Sequence, residues 1–331
     1  MGRCVRGRPG FHGGDGVTDR QPSIAIVIPT RNGMQTLPDV VEAIRSQQAP
    51  GPVALIAIDT ASTDGTPGYL HTLGFTVIAI EEHAFNHGRA RNAAIAACRT
   101  ELVVLLSQDA VPANAGWLDA LTAPLARDRS LAGTWARQQP RPDAGAVARH
   151  YLAGYEGSRP DPFVAHVKDI HAFNAMAPAS RLQLCTFDNV CSCIRRDVWE
   201  QHPFPESPIG EDVAWARTVL LAGHRLAYVP EAVVTHSHDR TATDEFVRTA
   251  ALHEQLHVLF GLRSVPNLAV LFIAVASSLR LHMRLLRRPS ATSVHDTLWK
   301  AMSLAVVWPL AQYIGGCRGA RAGRDTPGGA R

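Results

Sequence analysis

Residues 23–32 read SIAIVIPTRN, and the fold follows from them. Ile24–Ile28 is a short, uninterrupted apolar run rich in β-branched residues, the pattern of a strand buried on both faces of a parallel sheet, and it ends at Pro29. The run recurs at Val53–Ile58 (VALIAI), Phe75–Ile80 (FTVIAI) and Leu102–Leu106 (LVVLL). Helix-compatible stretches fill the gaps at Val40–Gln48, Pro67–Thr72 and Gly88–Cys98. Strand and helix in strict alternation predict an α/β domain with a mostly parallel central sheet and helices on both faces.

In such sheets ligands collect beyond the carboxyl ends of the strands, so the residues just after each apolar run carry the function. These are Pro29-Thr30-Arg31-Asn32, then Asp59 to Thr66 with Ser62 and Asp64 inside it, then Glu81 to His87, then Ser107-Gln108-Asp109. All four are polar and three hold carboxylates. Neither GxGxxG nor GxxxxGK[ST] follows any strand, which excludes a dinucleotide fingerprint and a P-loop. A bound nucleotide would then need its phosphates neutralised by a cation on carboxylate ligands. Asp109, directly after LVVLL, is placed for that, because Asn114 is the better cap for the helix that follows. Asp59 is placed to accept from a ribose hydroxyl or a base N–H. In FNHGRARN (85–92), His87, Arg89 and Arg91 add positive charge to a helix start, which reads as a diphosphate contact.

The second half supplies another cluster. In PIGEDVAWA (208–216), Glu211 and Asp212 open a helix running to about Ala222, and Asp212 is placed to take a proton from a hydroxyl nucleophile. Arg225–Val229 and Ala232–Thr235 read as short strands, and the second runs into His236-Ser237-His238, two imidazoles on one face of an extended segment. Six cysteines without a CxxC pair argue against a disulfide scaffold or a structural zinc and read as buried or free thiols.

The charge is unevenly placed. The formal net charge is +4. Residues 1–22 hold four basic and two acidic groups and residues 271–331 nine basic and two acidic, so residues 23–270 carry twenty basic against twenty-five acidic. An acidic body with a single lysine, Lys168, excludes a nucleic-acid partner. Residues 1–22 are Gly- and Arg-rich without the apolar run of a secretory leader and read as a disordered basic extension of a cytoplasmic protein. Beyond about Thr241 the pattern turns helical. Leu268–Leu279 stays apolar for twelve residues before Arg280, short of the roughly twenty that span a bilayer. Arg280, Arg284, Arg287 and Arg288 share one helical face, so residues 241–316 read as a helical segment in peripheral contact with an anionic membrane and 317–331 as a disordered tail.

Taken in order, IAIVIPTRNG, IAIDTASTDGT, FNHGRARN, LLSQDAVP, FDNVCSCIRRDVWE, GEDVAWA and VPEAVVTHSH resemble family 2 glycosyltransferases of the GT-A fold, most closely the bacterial rhamnosyltransferases, over roughly residues 23–240. The resemblance implies a nucleotide-sugar half at 23–110 and an acceptor half at 111–240. It implies that Thr30 and Asn32 line the nucleobase pocket with Asp59, that Asp109 binds Mg²⁺ or Mn²⁺ on the donor diphosphate, and that His236 completes the metal site. Asp212 would be the base of an inverting displacement, Asp188 and Asn189 would face the sugar or acceptor, and Trp215 would support the acceptor side. Ser107 stands where the first aspartate of a DxD motif is usual, which weakens the metal requirement. The activity implied is transfer of a sugar, rhamnose from dTDP-rhamnose or else a UDP- or GDP-linked sugar, to a glycan or lipid-linked acceptor in cell-surface polysaccharide synthesis. Two other readings stay open: a sugar-phosphate nucleotidyltransferase, which would want a basic Gly-rich loop near the start, and a glycan-binding relative without catalysis, which would have lost Asp109 or Asp212.

Overall fold

A computed structural model describes residues 22–49, 51–238, 240–287 and 297–325. The four apolar runs form β1 (Ile24–Thr30), β2 (Val53–Thr60), β3 (Thr76–Ile80) and β4 (Leu102–Leu106), joined through α1 (Leu37–Arg45), α2 (Thr66–Thr72) and α3 (His87–Ala96). They lie side by side in the order β3-β2-β1-β4 and all run parallel. Burial on both faces explains the unbroken apolar pattern: Ile24, Ile26 and Ile28 enter one core cluster while Ala25 and Val27 enter the other.

The sheet continues through the second half, with β5 (Val111–Pro112), α4 (Trp117–Arg127), β6 (Leu131–Gln139), α5 (Ala146–Ala153), β7 (Phe163–His166), α6 (Ile170–Ala175), α7 (Pro178–Leu184), β8 (Cys191–Arg195), α8 (Arg196–Gln201), α9 (Glu211–Leu221) and β9 (Arg225–Thr235). Beyond β4 the order is β8-β6-β9-β5, with β7 also on β9. β8 is antiparallel to both β4 and β6, β9 is parallel to β6, and β5 and β7 are antiparallel to β9. Among the described residues β1 to β4, β6 and β9 therefore point one way and β5, β7 and β8 the other, a mixed sheet that is mostly parallel. The ends of β1, β2, β4, β6 and β9 meet along one edge, and that edge carries the site.

Three local readings are corrected. The helix expected to be capped by Asn114 begins at Trp117, and Asn114 instead accepts a hydrogen bond from the Gly116 N–H at 3.0 Å in a turn. The two strands expected at 225–229 and 232–235 are one, β9, whose register against β6 jumps from Ala136–Val229 to Arg137–Val233. Pro230 sits in that bulge, where its missing N–H costs no ladder bond. The expected tail at 317–331 is helical as far as Asp325, the end of α12 (Leu298–Asp325); 326–331 and 1–21 lie outside the described residues.

α12 is the last of three C-terminal helices, after α10 (Ala242–Phe260) and α11 (Leu268–Leu286). Gly315 and Gly319 let α12 run close along α10: a Cβ on Gly319 would lie 2.7 Å from the Glu254 carbonyl oxygen. Leu285, Ala301 and Leu304 form a small satellite core with Ala146 and Val147 of α5, which fixes the helical segment to the sheet-bearing body.

Candidate active site

The loops after β1 and β2 are bound to each other. Thr30 donates to Asp59 Oδ1 at 2.9 Å, and Ser62 donates to the same carboxylate through its hydroxyl at 2.6 Å and its N–H at 3.0 Å. The Asn32 N–H donates to Ser62 Oγ at 2.8 Å while Asn32 Oδ1 accepts from the Thr63 N–H at 2.8 Å. Asn32 and Ala61 hold left-handed backbone angles, φ 46° and 47°, conformations that non-glycine residues keep only where their surroundings dictate them. Thr30, Asn32, Asp59 and Ser62 are therefore brought together at the ends of β1 and β2. Asp64 is tied up differently: its carboxylate accepts from the Met34 N–H, the Thr66 N–H and the Thr66 hydroxyl, so it joins the two loops rather than facing a ligand.

Across β4, Asp109 meets the end of β9. His236 Nε2 is 3.5 Å from Asp109 Oδ1 and His238 Nδ1 is 3.4 Å from Asp109 Oδ2, with the three ligand atoms within 4.8 Å of one another. Hydrogen-bond logic sets the tautomer of His236. Three groups converge on Asp188, which accepts from the Val190 N–H, the Tyr155 hydroxyl and Gln138 Nε2, the last at 2.5 Å. Gln138 must then present Oε1 to His236 Nδ1, 2.8 Å away, so Nδ1 carries the hydrogen and Nε2 holds a free lone pair. That nitrogen is buried and has no partner. A buried lone pair facing a carboxylate fits a cation held between them. Burial pushes His238 down to about 3, leaving it neutral; burial raises Asp109, but the Arg141 guanidinium beside it acts the other way and the carboxyl titrates below its ordinary value.

Asp212 lies in the first turn of α9, after Gly210 in a left-handed conformation, φ 74°. It accepts from the Val213 N–H at 2.8 Å and from the Asn189 N–H at 3.4 Å. Burial, with the neighbouring Glu211 and Asp188 carboxylates, pushes its pKa up to about 8. Glu211 behaves oppositely. Burial raises it too, but the Arg91 guanidinium 2.5 Å away outweighs that and holds it ionised.

Arg91 is paired with Glu211, and both Arg91 and His87 stand on the cleft wall. α3 is held in place by Asn86, which caps it through the Arg89 N–H, and by Gly88, where any Cβ would strike the Pro205 carbonyl. Trp215 is corrected. It is fully buried, packs on Phe187 and Phe204, and donates its indole N–H to the His202 carbonyl, so it shapes the core under Asp212 and never reaches an acceptor.

One cleft of about 1310 Å³ is lined by Ser107, Asp188, Asn189, Glu211, Asp212, His236 and His238. Gln138, Tyr155, Arg141, Arg240 and Arg248 line it as well and were not singled out from the sequence. The signal for Gln138 and Arg141 was present in WARQQPRPD (135–143), a polar run after what proves to be another strand ending at the same edge. The far wall is apolar and C-terminal, with Leu252, Leu304 and Trp308.

Residues 25–193 match the Glycosyl transferase family 2 description. The chain belongs to that family. It is 32% identical over 231 residues to the O-antigen chain rhamnosyltransferase WbaN of Salmonella anatum, covering 69% of this chain and 70% of that protein. The O-antigen chain rhamnosyltransferase RfbN of Salmonella typhimurium is 33% identical over 229 residues, 68% of this chain and 69% of that one. Glucosyl-3-phosphoglycerate synthase from Mycobacterium tuberculosis, solved with Mn²⁺, UDP-glucose and phosphoglyceric acid, superposes with a TM-score of 0.50 at 19% identity, covering 75% of this chain and 83% of that one. This family 2 protein is thus a glycosyltransferase, and the fold is GT-A.

Proposed function

We propose that the enzyme transfers rhamnose from dTDP-rhamnose, with inversion, to a hydroxyl of a glycan or lipid-linked acceptor in cell-surface polysaccharide synthesis, working at the cytoplasmic face of the membrane. One observation carries the chemistry: a carboxyl with a pKa near 8 lines the same cleft as the two imidazoles that pair with Asp109, one of them with an unpartnered lone pair. The two Salmonella relatives, named as O-antigen chain rhamnosyltransferases, support the sugar.

Asp212 takes the acceptor proton as the acceptor oxygen bonds to the anomeric carbon, and the bond from that carbon to the diphosphate breaks in the same displacement. A base with its pKa near working pH is well matched to a sugar hydroxyl. Asn189 orients the base through its N–H, and the Glu211–Arg91 pair fixes the helix start that carries it. Asp109, His236 and His238 would hold a divalent cation, which supplies positive charge to the diphosphate when bound. Thr30, Asn32, Asp59 and Ser62 form the nucleoside end of the donor site. The test is a panel of nucleotide sugars with Mn²⁺, following nucleoside diphosphate release with and without acceptor extract. Release only from dTDP-rhamnose supports the reading; turnover with UDP- or GDP-sugars alone overturns the donor, and no nucleotide-sugar binding by calorimetry overturns the whole.

A further inference from the structure

α11 is apolar and yet uncovered. Nineteen residues long with mean hydropathy 1.6, it has only 11% of its apolar window buried. One side packs on α12: Leu281, Leu285 and Leu286 meet Ala301, Leu304 and Trp308. The other side faces outward with Leu268, Phe272 and Ile273 exposed by 56%, 75% and 66%. A core helix would not present these side chains to water.

The charges say what covers it. Exposed Arg280, Arg284 and Arg287 continue the stripe begun by Phe272 and Ile273, at helical spacing, and Arg263 stands before the helix starts. No Asp or Glu occurs between Glu254 and Asp296. An apolar stretch bracketed along its length by arginines, with no acid near it, complements an anionic surface with an apolar interior. A second copy of the chain would bring like charges together. Trp299, 84% exposed, stands in the first turn of α12, next to the arginine end of α11, and indole at that level suits the headgroup boundary.

α11 runs to Leu286, past the twelve-residue apolar run expected from the sequence, and at nineteen residues its length alone would let it cross a bilayer, but its neighbours forbid it. α11 packs on α12, which packs along α10, and α10 carries Asp244, Glu245, Arg248 and Glu254. Crossing would drag that charge into hydrocarbon or strip α11 from the fold. We infer that α11 docks the enzyme flat on an anionic bilayer, Phe272 and Ile273 sunk to the acyl boundary and Arg280, Arg284 and Arg287 on lipid phosphates. This deepens the membrane-face reading above and is independent of the transfer chemistry. Because α12 also builds the apolar wall of the cleft, docking sets the acceptor end of the cleft one helix away from the lipid.

The experiment is vesicle co-sedimentation of the full chain with phosphatidylcholine alone or with about one-third phosphatidylglycerol, beside calorimetric binding of a nucleotide sugar. Binding to anionic vesicles should fall with salt, and Arg280→Glu/Arg284→Glu should weaken it by roughly tenfold or more. Phe272→Ser/Ile273→Ser should abolish it even at low salt, with nucleotide-sugar binding unchanged in both variants. The proposal is overturned if the wild-type chain ignores anionic vesicles, if the Phe272/Ile273 variant still binds them, or if that variant merely converts a dimer to a monomer in sedimentation velocity. Loss of nucleotide-sugar binding in the wild type would instead count against the transferase reading alone.

Discussion

The surroundings of Asp212 favour its neutral carboxyl, whereas the proposed base acts when ionised. Burial beside Glu211 and Asp188 raises its pKa from 3.8 to about 8, so ionising it favours the unfolded chain. The stability tied to the neutral carboxyl is fully present below about pH 4 and is lost progressively as pH rises toward 8. Asp212→Asn should therefore melt higher than the wild type, by a margin that grows between pH 5 and pH 8, while turnover falls by roughly 10²–10⁴-fold, the range for loss of a general base. Thermal melts at the two pH values check the first part, and an equal margin at both would refute the buried-acid account. The same titration makes kcat/KM of the wild type rise with pH through about 8 in the free enzyme. At the neighbouring cluster, two imidazoles beside one carboxylate are a poor set for Mg²⁺ and a better one for Mn²⁺. Mn²⁺ should bind the tighter of the two, and His238→Ala should weaken it at least tenfold; titration calorimetry with each ion decides, and stronger Mg²⁺ binding would sink the ligand set.

β6 shows at the level of elements what the sequence conveyed and what it concealed. β1, β2, β3 and β4 were legible because burial on both faces leaves no polar interruption, and the residues after them led directly to Asp59 and Asp109. LAGTWARQQ (131–139) has no such run, because β6 packs Gly133 under the Phe187 ring, a place where a Cβ would lie 3.2 Å from the ring carbons. Its end was therefore never read as a strand end, and Gln138 went unseen. Trp215 failed in the opposite direction: a short motif assigned to the cleft a tryptophan that the packing of Phe187 and Phe204 keeps inside. Gln138 links the two halves of the site by accepting from His236 and donating to Asp188. Gln138→Leu should free the His236 ring to turn and cost 10–100-fold in Mn²⁺ affinity, the usual penalty for losing the group that orients a metal-bound histidine. A Mn²⁺ affinity unchanged within twofold would show that the link is only structural.

Across the whole molecule the +4 net charge divides into an acidic body and a basic helical end, and the proposed division of labour follows the same line. The proposed donor contacts lie on the β1, β2, β4 and β9 ends, whereas the apolar cleft wall comes from α10 and α12 through Leu252, Leu304 and Trp308. That wall is held by Trp308, whose indole N–H donates to Glu245 at 3.0 Å, and by Gly315 pressed on α10. A Cβ at Gly315 would strike the Ala250 carbonyl and sit 2.9 Å from His253 Cβ, so Gly315→Ala must push α12 off α10 at a cost of about 1–3 kcal/mol. Donor binding has no contact with that seam. The variant should melt a few degrees lower and bind nucleotide sugar within twofold of the wild type, while KM for the acceptor rises several-fold with kcat little changed. Steady-state kinetics varying donor and acceptor separately will test this, and parallel loss of donor affinity would mean that the helical segment supports the whole site rather than its acceptor end.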